Sequence, residues 1–144
     1  MATYYDSSAV LEVLLIRPHH KEVMAYWDSD QKRFSSILLE AETLVSLRRL
    51  SYQTNLAIDS PVMKGRFVEL ENYLQSMELQ QVDEDILAIL RQTPSLSNCR
   101  SLDALHLATA ILFQQYVEEP LRICSLGQRL RQLAVALKFG VIPN

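Results

Sequence analysis

Apolar and polar positions alternate between two rhythms along this chain: short β-prone clusters of two to five residues, and longer stretches with apolar residues every third or fourth position. Thr3-Tyr4-Tyr5 reads as a strand ending at Asp6. Ser7 or Ser8 is then placed to cap a helix through Val10, Leu11, Val13, Leu14 and Leu15. Arg17-Pro18 stops it, because a residue before proline is pushed out of the α region, and Pro18 at the first helical position would open a second helix, His19 to Trp27. Asp28 to Arg33 reads as a polar loop, Phe34-Ser35-Ser36 as a second strand, and Ile37 to Leu50 as a helix. Ser60-Pro61 starts another helix with Met63, Phe67, Leu70 and Leu74 on one side, running to about Met77.

Leu79 to Val82 is a brief strand, Asp83 a cap for Glu84 to Arg91, and Thr93 to Asn98 a loop around Pro94. Ser101 opens a helix with Leu102, Leu105, Leu107, Ala108, Ile111 and Leu112, apolar on most sides. Leu121 to Ser125 is a buried strand, Gln128 to Phe139 a helix with Gly140 as its C-cap, and Val141-Ile142 a final strand stub. Strands alternating with helices predict one α/β domain over residues 1–144, with a parallel sheet of short strands and helices on both faces. In such sheets ligands collect beyond the carboxyl ends of the strands.

Composition narrows the function classes. The chain has 144 residues, 49% hydrophobic and 22% charged, with three glycines and no apolar run near 18 residues, so no membrane span is expected. Its N-terminus lacks the pattern of a signal peptide, which makes a cytoplasmic home the expectation. Cys99 and Cys124 are too few and too far apart for a disulfide framework or a zinc site, and both are expected as reduced thiols. A net charge of −3 gives no global basic field, so any nucleic-acid contact must be local. No GxGxxG or GxxxxGK[ST] stretch is present, which argues against dinucleotide and P-loop chemistry.

Asp6 falls at the carboxyl end of the first strand, where a helix cap and a site residue are both consistent with its position. Glu40 and Glu42 open the third helix, but residues two apart point about 200° from each other, so only one can face a shared site. Asp103 stands in an otherwise apolar helix start, where an acid needs either free backbone N–H groups or a ligand as partner. Arg48, Arg49 and Arg100 lie near these acids in sequence and are candidate phosphate contacts. His106 is read as a hydrogen-bonded core histidine, since hard metals prefer oxygen, while the adjacent His19 and His20 cannot share a helical face. Tyr26, Trp27 and Phe67 have the chemistry to stack on bases, but their helical spacing favours burial.

Tyr5-Asp6-Ser7-Ser8-Ala9, Ser36 with Glu42 six residues on and Arg48-Arg49 behind it, and Leu102-Asp103-Ala104-Leu105-His106-Leu107-Ala108-Thr109-Ala110 together resemble the ordered acidic motifs of PIN-domain proteins, in particular VapC-type toxins. The resemblance spans nearly the whole chain and implies a metal-dependent ribonuclease held inactive by a cognate antitoxin. It assigns Asp6, Glu42 and Asp103 to a site for Mg²⁺ or Mn²⁺, with RNA as substrate, 5′-phosphate and 3′-hydroxyl products, and a homodimer as the expected assembly. One departure stands out: where the family carries a fourth acid, Ser125-Leu126-Gly127-Gln128-Arg129-Leu130 has Gly127. That absence motivates an alternative, a PIN fold that has lost catalysis and serves as an RNA-binding or protein-interaction module.

Overall fold

The computed structural model describes residues 1–144. Five strands, β1 (Ala2–Tyr5), β2 (Lys32–Ser36), β3 (Glu78–Gln80), β4 (Leu121–Cys124) and β5 (Gly140–Ile142), form one sheet in the order β3-β2-β1-β4-β5. Every pairing is parallel, so each connection is a crossover carrying helix. These helices are α1 (Ser7–Leu14), α2 (His20–Ser29), α3 (Ile37–Thr54), α4 (Pro61–Gln75), α5 (Glu84–Gln92), α6 (Ser101–Tyr116) and α7 (Gln128–Ala136). The α/β architecture expected from the alternating pattern is the one found.

Strand periodicity divides the core. Tyr4 and Tyr5 are both fully buried but point to opposite faces of β1. Tyr4 joins Phe34, Leu121 and Ile123 beneath Ile86, Leu107, Ala108, Leu130 and Ala134 of α5, α6 and α7. Tyr5 joins Cys124 and Ile142 beneath Val10, Val23, Leu39, Leu47, Met63 and Leu70 of α1 to α4. Trp27 packs edge-on against Tyr5 and Tyr73, with ring centroids 4.8 and 4.9 Å apart, which fits the burial expected for it over base stacking.

The segment read as a polar loop, Asp28 to Arg33, is mostly regular: α2 continues to Ser29 and β2 begins at Lys32. Asp30 between them is buried because it has two strong partners. Its Oδ1 accepts from Arg122 Nη2 at 2.7 Å and its Oδ2 from the Tyr5 hydroxyl at 2.6 Å. Burial, then the bond to Asp30, pushes the Tyr5 phenol far above its ordinary range, which keeps it a donor. Arg122 also donates to Thr3 Oγ1 and lies over the Tyr26 ring, so one guanidinium joins β1, β4, α2 and the approach to β2. Arg122→Met would leave a buried carboxylate without its cation. A loss of about 3–5 kcal/mol is expected in urea unfolding, whereas a surface arginine replaced likewise should cost under about 0.5 kcal/mol.

Helix ends also differ from expectation. Pro18 precedes α2 without entering it; the cap residue is His19, and the His20 N–H and Nδ1 both reach the Arg17 carbonyl, at 3.0 and 2.7 Å. Beyond Leu50, α3 continues to Thr54 and is stopped by Asn55 in the left-handed region, φ 54°. Pro94–Asn98 winds into a 3₁₀ turn within the expected loop. Gly140 is the first residue of β5, not a cap: α7 ends at Ala136 in a Schellman arrangement, with Lys138 at φ 68°. Lys138 N donates to Val135 O and Phe139 N to Ala134 O, which satisfies carbonyls of the last turn before the chain reaches the glycine.

Candidate active site

The order of strands changes direction at β1, with β2 and β3 on one side and β4 and β5 on the other. A crevice is expected beyond the carboxyl ends of β1 and β4, where consecutive connections leave toward opposite faces. Asp6 follows β1 and Ser125 follows β4. Pairing continues one step past the strands, since Asp6 N donates to Cys124 O at 3.2 Å and Ser125 N to Ile142 O at 3.1 Å.

Asp6, not Ser7 or Ser8, is the N-cap of α1. Its Oδ1 accepts from Ala9 N at 3.1 Å and from the Ser8 hydroxyl at 2.6 Å, and its Oδ2 accepts from the Ser125 hydroxyl at 2.5 Å. The capping and site readings therefore describe the same side chain. Burial raises the Asp6 carboxyl above its ordinary value, and the hydrogen bonds from Ser125 and Ser8, the nearby His106 and the Ala9 N–H each offset part of that rise. Ser8 in turn accepts from Leu126 N at 2.9 Å, and Ser125 from Gly127 N at 3.1 Å. Gly127 is the N-cap of α7 at φ −77°, a conformation open to any residue, and a Cβ there would meet only Ser125 Oγ, at 3.5 Å.

Glu42 lies on the second turn of α3, half-buried, and its Oε1 meets His106 Nε2 at 2.5 Å. The other ring nitrogen of His106, Nδ1, meets the Tyr4 hydroxyl at 2.6 Å, and the histidine is 3% exposed. His106 is thus the hydrogen-bonded core histidine expected, with a candidate site acid as one of its partners. Burial also holds the Tyr4 phenol well above its ordinary value, with smaller upward contributions from Asp6 and Glu42.

Asp103 is in the first turn of α6, one turn before His106 and so on the same side of the helix. Its setting is less enclosed than the sequence suggests. Asp103 is half-buried, Leu102 beside it is 49% exposed, and Asp103 enters none of the ion pairs. It stands close enough to Cys99 to raise that thiol, second to burial and against the influence of Arg129.

His106 is the common neighbour of the three acids: bonded to Glu42, within electrostatic range of Asp6, and one turn from Asp103. No three His, Cys, Asp or Glu side chains stand together at metal-binding spacing. The donor set nevertheless suits a hard divalent ion, because it is all carboxylate oxygen and Mg²⁺ commonly keeps several waters while using one or two protein carboxylates.

The arginines separate. Arg48, Arg49 and Arg100 are all exposed. Arg49 is seven residues from Glu42, hence about 20° from it around α3, while Arg48 is turned about 120° away. Arg48 lines a cavity of about 400 Å³ with Ser51, Tyr52 and Ile58 at the far end of that helix. Arg100 is the N-cap of α6, immediately before the turn that carries Asp103.

The family model described as PIN domain matches residues 3–117, from β1 through the end of α6 and across all three acids. The chain belongs to the PIN domain family. A curated relative, Ribonuclease VapC46 of Mycobacterium tuberculosis (strain ATCC 25618 / H37Rv), is 29% identical over 141 residues, 98% of this chain and 96% of that protein. Within this PIN domain the matched segment stops before Ser125 and Gly127. Neither Ser8 as a partner of Asp6 nor Tyr4 as a partner of His106 is marked by the sequence. Only the spacing of His106, three residues after Asp103, hinted at its place among the acids. No helix of the PIN domain is long and apolar enough to cross a membrane.

Proposed function

We propose that residues 1–144 act as one metal-dependent endoribonuclease of the VapC kind, with Asp6, Glu42 and Asp103 holding Mg²⁺ or Mn²⁺. The observation that carries this reading is the position of His106, which touches or neighbours acids supplied by β1, α3 and α6 at the carboxyl edge of a parallel sheet. The similarity to Ribonuclease VapC46 along almost the full length of both proteins supports RNA as the substrate.

A bound divalent ion supplies a water of lowered pKa and neutralises charge developing on the phosphodiester. Asp6 is held by Ser8, Ser125 and the Ala9 N–H, so its carboxylate needs little reorganisation to serve as a ligand. Glu42 keeps Oε2 free of the bond to His106, and Asp103 has no ion-pair partner to give up. Exposed Arg49 and Arg100 would meet RNA phosphates flanking the scissile bond. Replacing either by Ala should raise KM several-fold with kcat little changed and flatten the salt dependence of binding, while Arg48→Ala has less effect.

A cognate antitoxin, with a segment filling the acidic crevice, and a homodimer in the cytoplasm complete the proposal. The alternative, a catalytically silent RNA-binding or protein-interaction module, is favoured by Gly127 and by the absence of three acids at ligand spacing. Cleavage of end-labelled structured and single-stranded RNA separates the two. Ribonuclease activity predicts products with 5′-phosphates that require Mg²⁺ or Mn²⁺, vanish in EDTA and vanish in Asp103→Asn. Metal-bound, folded protein that leaves all RNAs intact would favour the silent module.

A further inference from the structure

His106 joins the elements that carry the three acids, and each of its ring nitrogens has a single partner. Nε2 faces Glu42 Oε1 at 2.5 Å; Nδ1 faces the hydroxyl of Tyr4, which is 1% exposed. A carboxylate has no proton to give, so Nε2 carries the N–H and donates it to Glu42, while Nδ1 and the Tyr4 hydroxyl share the second bond. The ring is thus held at both nitrogens, with His106 Nε2–H donating to Glu42 Oε1 and the Tyr4 hydroxyl bonded at Nδ1. The Tyr4 ring meets the imidazole edge-on, with centroids 5.9 Å apart and planes at 75°, which fixes the ring tilt.

The consequence falls on Glu42. Its side chain is half-buried and would otherwise have three freely rotating bonds; His106 anchors one oxygen and leaves Oε2 as the available donor. The anchor sits on α6 one turn after Asp103, so it also sets the α3 acid in register with the α6 acid. We propose that His106, oriented by Tyr4, is a positioning residue that fixes Glu42 Oε1 and thereby orders the carboxylates of α3 and α6 for a divalent ion. It touches neither the ion nor RNA. This inference rests on the reading of Asp6, Glu42 and Asp103 as the metal site.

The test is Mn²⁺ affinity, read by water-proton relaxation, in a double-mutant cycle of His106→Leu and Glu42→Gln. Partners of metal-binding groups commonly account for about 10–100-fold in affinity, and a loss of that size is expected for His106→Leu. In the Glu42→Gln background His106→Leu should add nothing, because the carboxylate it positions is gone. A merely structural role would add its loss in both backgrounds, and that additivity would overturn the proposal, as would wild-type affinity in folded His106→Leu. His106→Gln, which keeps an N–H donor, should recover most of the loss. If His106→Leu does not fold, Tyr4→Phe removes one hydroxyl and is expected to weaken Mn²⁺ binding about two- to tenfold, again only when Glu42 is present. Unchanged Mn²⁺ affinity in Glu42→Gln itself would instead overturn the metal-site reading, which distinguishes the two failures.

Discussion

Asp6→Asn is expected to abolish divalent-dependent RNA cleavage and, in the same protein, to raise the melting temperature of the metal-free form. The loss follows from removing a charged oxygen donor at the centre of the proposed site; a contribution of several kcal/mol to transition-state charge makes the expected drop at least about 100-fold. The gain follows from burial. Asp6 is 6% exposed, and desolvation raises its carboxyl above the ordinary value despite bonds from Ser8, Ser125 and Ala9. The folded state therefore holds this proton more tightly than the unfolded chain does. Below about pH 4 the group is protonated in both states and has no effect on their balance. As pH rises from the unfolded-chain value to the raised folded-state value, stability falls, and the deficit is complete above the latter.

Asn keeps the shape and can exchange hydrogen bonds with Ser8, Ser125 and Ala9 without a buried charge. A rise of about 2–5 °C at pH 7 in EDTA is expected, the shift that roughly 1 kcal/mol produces in a chain of this size, and it should shrink as pH is lowered toward 4. Thermal melts of both proteins across that range check it. An equal or lower melting temperature at pH 7 would contradict the account of Asp6 as a carboxylate held at the expense of stability.

The second large effect is expected from Gly127→Asp. The backbone at Gly127 suits any residue, and the space its Cβ would occupy meets only the Ser125 hydroxyl at ordinary contact distance. That hydroxyl is itself bonded to Asp6 Oδ2, so a carboxylate at residue 127 starts one side chain away from the crevice. It would also occupy the N-cap of α7, which has no side-chain cap. Another carboxylate beside Asp6 is repulsive without a cation and favourable with one. Mn²⁺ binding should tighten about tenfold, equivalent to about 1.4 kcal/mol, and the rise in melting temperature on adding Mn²⁺ should exceed that of the wild type by a few degrees. Cleavage should increase as well. A Gly127→Asp protein with unchanged metal affinity would show that residue 127 does not face the site.

Alternation of short β-prone runs with helical periodicity was enough to place all five strands in a parallel α/β arrangement. What it missed depends on contacts distant in sequence. Asp30 reads as a loop residue until Arg122, 92 residues later, and Tyr5 give its carboxylate partners. Gly140 has the composition of a helix cap, but the helix terminates earlier because Lys138 accepts the left-handed conformation. The site shows the same limit. Spacing showed only that Glu40 and Glu42 cannot both face one site, since helix geometry is local; the resemblance to PIN domains chose Glu42, and an apolar setting marked Asp103. The bonds from Ser125 to Asp6 and from His106 to Glu42 span 119 and 64 residues, and no local pattern encodes them.

The central claim is that acids from three separate elements share one divalent ion although no three of them stand at ligand spacing. Mn²⁺ titration followed by water-proton relaxation, on the wild type and on Asp6→Asn, Glu42→Gln and Asp103→Asn, addresses it most directly. The account predicts one site per chain in the wild type, weakened by about tenfold or more in each single variant with the fold intact. Wild-type Mn²⁺ affinity in all three variants, or no binding by the wild type, would contradict it.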